Sequence, residues 1–244
     1  MPPSPVTPGP RPQAGHLLAP AFRRALWETY DHLGILILLN LIWLALLLPV
    51  VTAPAATAAL FDSARRIARR EDVGVRAYFR SFRGLFLPSL LLGLFSAASA
   101  FILWVGIDFY SHLGGPMRYP GFLLAALLVW LAVLIALAHV HLMPLLAHGE
   151  RRLTSTLRKG ALLTLDNLAF SIGLFIQTAA LLALCILTGA GLLLIAGSLA
   201  ALLLTSAHRE LLRTYRPDDR DLEDEPETRT WRDLWRPWES KARR

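Results

Sequence analysis

Four polar side chains lie within or at the edge of long apolar stretches of this chain, and they are its first candidates for chemistry: Asn40, Asp166, Asn167 and Gln177. An amide or carboxylate at membrane depth faces the inside of a helix bundle, where it contacts a solute or joins two helices. Gln177 lies about three helical turns after Asn167, roughly on the same face. The four residues therefore predict a small polar cavity, and inter-helix packing is the simpler interpretation of Asn40.

A second candidate lies where a hydroxyl and a proline are typical of the start of a helix. Thr52 suits an N-cap, Pro54 suits the first turn, and Thr57 follows closely. Backbone amides at a helix start inside a membrane can bind an anion or a sugar hydroxyl. A kink followed by a capped helix explains the same residues, so both interpretations stay open.

Three histidines close together in sequence raise the question of a metal site. His139 and His141 point in different directions on a helix, whereas His141 and His148 share a face. The nearest carboxylate is Glu150, and Cys185 is the only cysteine. We therefore expect no metal and no other cofactor. Motifs for phosphate binding, nucleophilic catalysis and zinc hydrolysis are also absent from the sequence, so we do not expect an enzyme.

Long uncharged apolar blocks must position these residues. They cover residues 33–61, 84–107, 119–149 and 160–207, in which Asp166 is the only charged side chain. About 20 apolar residues cross a hydrocarbon core roughly 30 Å thick, and the last block is long enough for two crossings. The sequence therefore predicts an all-α, polytopic transmembrane helical bundle of about five spans with amphipathic interfacial helices.

The breaks between apolar blocks define three regions. We predict that residues 1–32 form a disordered proline-rich arm and a short interfacial helix and that residues 33–216 form the transmembrane domain. Residues 217–244 are predicted to be a cytoplasmic tail that is acidic and then rich in tryptophan and arginine. We place the spans at 33–51, 87–108, 121–147, 165–187 and 190–207, with a further interfacial helix at 54–70. If the 33–61 block re-enters the membrane rather than crossing it, four spans remain and the N-terminus changes sides.

The formal net charge of +7 comes mainly from arginines between the apolar blocks and in the tail. This bias is typical of cytoplasmic loops, so we expect a multi-pass cell-membrane protein with a cytoplasmic C-terminus. The lipid bilayer is its expected partner and nucleic acid is not. Trp231, Trp235 and Trp238 in the tail share one helical face that lies on the membrane or docks on a partner.

Residues 39–72 and 78–86 resemble the YesL family of bacterial membrane proteins, whose function is undefined. The matching positions are Asn40, Trp43, Leu48, Pro49, Val51, Thr52, Pro54, Thr57, Ala58, Ala59, Leu60, Phe79, Ser81, Phe82 and Arg83. Two positions depart from the family pattern, because Ala53 replaces a usual glycine and Leu85 a frequent asparagine. The resemblance implies a small integral protein often encoded beside sugar-uptake transporters, and it implies no catalytic residues.

Two functions follow from these observations. The first is an accessory or scaffold subunit associated with carbohydrate uptake, whose partners are ABC-type sugar transporter subunits or a second copy of the chain. The second is a small oligomeric transporter or channel for a polar solute, built on the four polar side chains. A continuous polar path from Asn40 to Gln177 would favour the transporter, and a dry, packed bundle would favour the accessory subunit.

Overall fold

The computed structural model describes residues 14–189 and 194–215, and every regular element in these ranges is helical. The helices are α1 (Ala14–Asp31), α2 (Leu33–Leu47), α3 (Ala53–Ala68), α4 (Val75–Ser111), α5 (Arg118–Ala147), α6 (Leu153–Asp166), α7 (Leu168–Thr188) and α8 (Ala196–Tyr215). The predicted all-α fold is confirmed. The predictions for the proline-rich arm before residue 14 and for the tail at 217–244 lie outside the described residues.

Three of the described helices, α4, α5 and α7, are long and apolar enough to cross a membrane. A fourth crossing requires α1 and α2 to act as one span, although they meet at an angle of 94°. Helix α2 alone has 15 residues, about 22 Å, which is shorter than the hydrocarbon core. The helix predicted at 33–51 therefore ends earlier, at Leu47, and a count of five spans stays a prediction.

Helices α2 and α3 form a hairpin whose turn lies at residues 48–52. Across the hairpin, Trp43 Nε1 donates a hydrogen bond to Thr57 Oγ1 at 3.1 Å. The turn is apolar and open, with Leu48 85% and Val50 82% exposed. Since the open ends of a hairpin lie together, this geometry favours the re-entrant alternative for the 33–61 block.

Helix α8 is the centre of the bundle, because α1, α2, α3, α5 and α7 all pack against it. Its buried side chains include Leu202 and Leu203 as well as the polar Ser198, Thr205 and His208. A helix surrounded by protein can carry polar residues that lipid would not accept. This explains why α8 is central although its composition does not mark it as a span.

Helices α4 and α5 run antiparallel, and their far halves leave the rest of the bundle. The first half of α4 packs on α3, where a Cβ atom on Gly93 would lie 2.6 Å from Pro54 Cγ. Beyond this point the two helices are joined by a 2.6 Å hydrogen bond between His139 Nε2 and Ser96 Oγ. We call residues 94–111 and 118–136 the two-helix arm.

Helix α6 is separate from α7, and α7 is a candidate membrane span that begins three residues after the predicted start of the span at 165–187. The chain breaks at Asn167 (φ −131°, ψ 51°), and the apolar helix begins at Leu168. Positive charge collects where α3 ends and where α4 and α6 begin, and we call this the basic end of the bundle. Its cations are Arg65, Arg66, Arg69, Arg70, Arg76, Arg80, Arg83, Arg151, Arg152, Arg158 and Lys159.

Candidate functional site

Asn40 joins α2 to the start of α8. Its fully buried side-chain oxygen accepts hydrogen bonds from the backbone N–H groups of Gly197 at 3.0 Å and Ser198 at 3.3 Å. Ser198 Oγ in turn donates to the Leu36 carbonyl at 2.9 Å. The first amides of a helix have no partner within the helix, so Asn40 satisfies two donors that would otherwise be buried unpaired. The prediction that Asn40 joins two helices is confirmed.

The close approach around Asn40 requires glycine at position 197. A Cβ atom there would lie 2.8 Å from Asn40 Oδ1 and 2.8 Å from the ring of Trp43. Because the Trp43 indole also donates to Thr57, one set of side chains ties α2, α3 and α8 together. We call Asn40, Trp43, Thr57, Gly197 and Ser198 the Asn40 network.

Thr52 does not cap α3 in the predicted way. It occupies the N-cap position, but its side chain accepts no hydrogen bond from the helix. Instead its hydroxyl donates to the carbonyls of Leu46 at 2.5 Å and Pro49 at 2.7 Å. The hydroxyl therefore closes the turn of the α2–α3 hairpin.

Pro54 and Thr57 are likewise engaged within the protein. Pro54 packs on Gly93 of α4. Thr57 Oγ1 donates to the Ala53 carbonyl at 2.9 Å and accepts from Trp43. These contacts support the interpretation of a kinked, packed helix start over a binding site at Thr52, Pro54 and Thr57.

The four predicted cavity residues are not brought together. Asn40 contacts the start of α8, whereas Asn167 Nδ2 donates to the Tyr215 hydroxyl at its end, at 2.6 Å. Ser198 and Tyr215 are 17 positions apart, about 25 Å along a helix. Asp166 is exposed beside Asn167. The structure therefore does not form one cavity from Asn40, Asp166, Asn167 and Gln177.

Gln177 lines a groove of about 530 Å³ between α1 and α7. Its side-chain oxygen is buried and has no hydrogen-bond partner among the described residues. The remaining lining is mostly apolar, and Gly173 allows Leu18 of α1 to approach α7 closely. The amide of Gln177 is thus a single polar point in an apolar groove rather than part of a polar path.

His208 of α8 meets His141 and His148, at the end of α5, near the basic end. The ring of His208 lies 6.1 Å from that of His141 and 5.3 Å from that of His148, measured between centroids. His141 Nε2 forms a 2.9 Å hydrogen bond with Ser171 Oγ, and His148 Nδ1 donates to the Pro144 carbonyl at 2.7 Å. Both ring nitrogens of the buried His208 lack a partner among the described residues.

The surroundings of His148, which follows the end of α5, favour neutral imidazole. Burial lowers the pKa of His148, and the charges of Arg65, Arg69 and Arg209 lower it further, while the hydrogen bond to Pro144 opposes them. Arg209 is itself buried and donates to the Ala68 carbonyl at 2.5 Å. Within residues 14–189 and 194–215, no group of three or more His, Cys, Asp or Glu side chains has a geometry that could hold a metal ion.

Mild acid is therefore expected to weaken this end of the bundle. In the unfolded chain His148 binds a proton below about pH 6.5, whereas in the folded chain it binds a proton only at a lower pH. Stability is thus complete above about pH 6.5 and falls as the pH drops below it, by up to about 1.4 kcal/mol per pH unit for each such proton. Unfolding titrations in detergent from pH 7.5 to 5.5 measure this slope.

Replacement of His148 by glutamine should flatten that pH dependence. The matched control is His112→Gln, because His112 is exposed in the turn between α4 and α5. If His148→Gln and His112→Gln keep the same slope as the unmodified chain, the histidine cluster does not control acid stability.

Asp62 forms the other concentrated polar contact of the basic end. Its carboxylate accepts hydrogen bonds from Ser81 Oγ at 2.6 Å, from Arg65 Nη2 at 2.7 Å and from Arg66 Nε at 2.9 Å. Burial alone would raise the pKa of Asp62, but these hydrogen bonds outweigh it and hold the pKa below its ordinary value. The carboxylate therefore stays charged and ties α3 to α4.

Sequence reasoning missed the contacts of Asp62 and the approach of His208 to His141 and His148. The spacing of Asp62 with Arg65 and Arg66, three and four positions apart, is a helix-pairing signal that could have found the Asp62 contacts. No local signal connects His208 with His148, because 60 positions separate them and only helix packing brings them together.

Part of the chain matches an uncharacterised protein family. Residues 36–107 match the family described as "Protein of unknown function, DUF624", which covers 72 of the 244 residues. This range contains Asn40, the α2–α3 hairpin and Asp62, whereas α8 and the histidine cluster lie outside it. The match supports an uncharacterised family and does not confirm the name YesL. No curated protein and no solved structure matches the chain.

Proposed function

We propose that this protein is an accessory or scaffold subunit of a cell-membrane complex associated with carbohydrate uptake. Its two-helix arm packs against a transmembrane helix of the partner, such as a subunit of an ABC-type sugar transporter. The observation that carries the proposal is the apolar, nearly unburied surface of the arm. We propose no enzymatic activity.

The arm buries very little of its own surface. Among its described side chains, the buried ones are Leu103, Gly121 and Ala125. Large side chains point outward on both helices, with Trp104 66% and Trp130 69% exposed. Two helices whose side chains are this exposed can contact other helices in the bilayer as well as lipid.

A run of small residues gives the arm a surface where another helix fits. Between Phe95 and Phe101 the side chains are only serine and alanine, and Ala97, Ala98 and Ala100 are exposed. Small residues allow helix backbones to approach closely in a membrane, where van der Waals contact drives association. Flanking aromatic side chains add contact area.

Two further parts of the proposal rest on the sequence. The resemblance of residues 39–86 supports the association with sugar uptake. The charge bias supports a cytoplasmic location for the basic end and the C-terminus. The alternative, a small transporter for a polar solute, loses its main support because Asn40 and Asn167 contact opposite ends of α8.

Purification from native membranes in mild detergent tests the proposal. We expect a membrane partner to co-purify with the tagged protein in a stoichiometric amount. Ala97→Leu with Ala100→Leu should abolish recovery of that partner, because two larger side chains prevent the close approach of another helix to this run of small residues. The matched control is Ala180→Leu with Ala183→Leu, the same change with the same spacing on the exposed face of α7.

Recovery of the protein without any stoichiometric partner would overturn the accessory function. Equal recovery of the partner with both double variants would show that the arm is not the docking surface.

A further inference from the structure

A groove at the start of α6 carries charge that the rest of the described chain does not neutralise. It has a volume of about 530 Å³ and is lined by Arg152, Thr154, Ser155, Arg158, Lys159 and Leu162. It lies on a different part of the molecule from the two-helix arm. The groove therefore needs an explanation independent of the proposed partner.

The cations of this groove outnumber the nearby carboxylates. Lys159 is paired with Glu150, which also accepts a hydrogen bond from Ser155 Oγ at 2.8 Å. Arg152 and Arg158 form no ion pair with any described residue, and both are exposed. Guanidinium groups bind phosphate with two parallel hydrogen bonds, so this pair suits a phosphate-bearing ligand.

The exposed face of α6 is apolar next to the groove. Arg158, Leu162 and Leu165 follow one stripe of the helix at positions i, i+4 and i+7, and both leucines are exposed. The opposite face packs on α5, where a Cβ atom on Gly160 would lie 2.7 Å from Leu142 Cδ2. Helix α6 thus presents cations and leucines side by side, as an interfacial helix does.

We propose that this groove binds the headgroup of an anionic phospholipid. Arg152 and Arg158 contact the phosphate, and Leu162 and Leu165 lie along the acyl chains. The exposed leucines favour a lipid over free phosphate, because a soluble anion would leave them without a partner. Each cation near an anionic surface contributes about 1 kcal/mol, so loss of both arginines should weaken binding about 10- to 30-fold.

Native mass spectrometry of the full-length protein in detergent tests this site. The probes are phosphatidylglycerol, phosphatidylcholine and inorganic phosphate. We expect preferential binding of phosphatidylglycerol, and about 10- to 30-fold weaker binding in the double variant Arg152→Gln with Arg158→Gln. The control is Arg76→Gln with Arg80→Gln, which removes two exposed charges of the basic end outside the groove.

Three results would overturn the proposal. Equal loss of phosphatidylglycerol in both double variants would indicate general attraction to the basic end. Equal binding of phosphatidylcholine would show that charge does not select the lipid. Displacement of phosphatidylglycerol by millimolar inorganic phosphate would identify a site for the free anion. All four substituted arginines are exposed, so these changes should leave folding intact.

Discussion

Replacement of Asn40 by leucine is expected to lower the free energy of unfolding by roughly 2–6 kcal/mol, at about 1–3 kcal/mol for each of two buried amides left without an acceptor. The two side chains are similar in size, so the loss comes from the unpaired N–H groups of Gly197 and Ser198 rather than from a cavity. Denaturant titration in mixed micelles measures the change.

The matched control is the same substitution at Asn167, the only other asparagine of the chain. Asn167 also contacts α8, through Tyr215, but this hydrogen bond is exposed. Its loss should cost less than about 1 kcal/mol. If Asn40→Leu is no more damaging than Asn167→Leu, the Asn40 network does not hold α2 and α8 together.

Replacement of Asp62 by asparagine is expected to cost about 2–3 kcal/mol, because Arg65 and Arg66 lose a buried charged partner. The figure stays below that of a fully buried ion pair, since both arginines remain partly exposed. The same unfolding titration measures this loss. This loss of stability should also depend on pH, in a direction that follows from the pKa of Asp62.

The pKa of Asp62 is lower in the folded chain than its usual value near 3.9 in an unfolded chain. Its contribution to stability is therefore complete above about pH 4 and is lost as the pH falls through the lowered folded pKa. Asp72→Asn, which changes an exposed carboxylate in the next loop, is the control and should stay within about 0.5 kcal/mol. Equal losses for Asp62→Asn and Asp72→Asn would contradict the role of Asp62.

The spanning helices were predictable because hydrocarbon imposes one simple requirement. Helices α4, α5 and α7 are candidate membrane spans that bury little of their surface, and a span needs about 20 apolar residues, so their sequences are uncharged for 20 residues or more. The predicted spans at 87–108 and 121–147 lie within α4 and α5. Inter-helix bonding by Asn40 was predictable for the same reason, since an amide in hydrocarbon needs a partner.

Elements whose surroundings are protein were less predictable. Helix α8 carries His208 and Thr205 in its buried face, so its hydropathy reflects its neighbours rather than the bilayer. The break at Asn167 that separates α6 from α7 has no proline or glycine to mark it. The meeting of His208 with His148 depends on how α8 packs against α5, and side-chain spacing along one helix cannot show such a contact.

The four polar residues predicted to line one cavity lie apart for a related reason. Sequence position gave the approximate depth of Gln177 and Asn167 in their helix but not which neighbour each would face. In the structure Gln177 faces α1 and Asn167 faces Tyr215, while Asn40 faces the start of α8. The length of an apolar stretch predicts how deep a residue lies in the membrane, whereas the residues that it contacts depend on how the helices pack.

Site-specific photo-crosslinking from the two-helix arm tests the proposed docking surface most directly. A photoreactive residue at Ala97 should form a covalent product in native membranes with the partner that co-purifies with the tagged protein. The same residue at Ala180 on α7 should not form that product, although both positions are exposed. Products with lipid alone from Ala97, or the same protein product from both positions, would contradict docking through the arm.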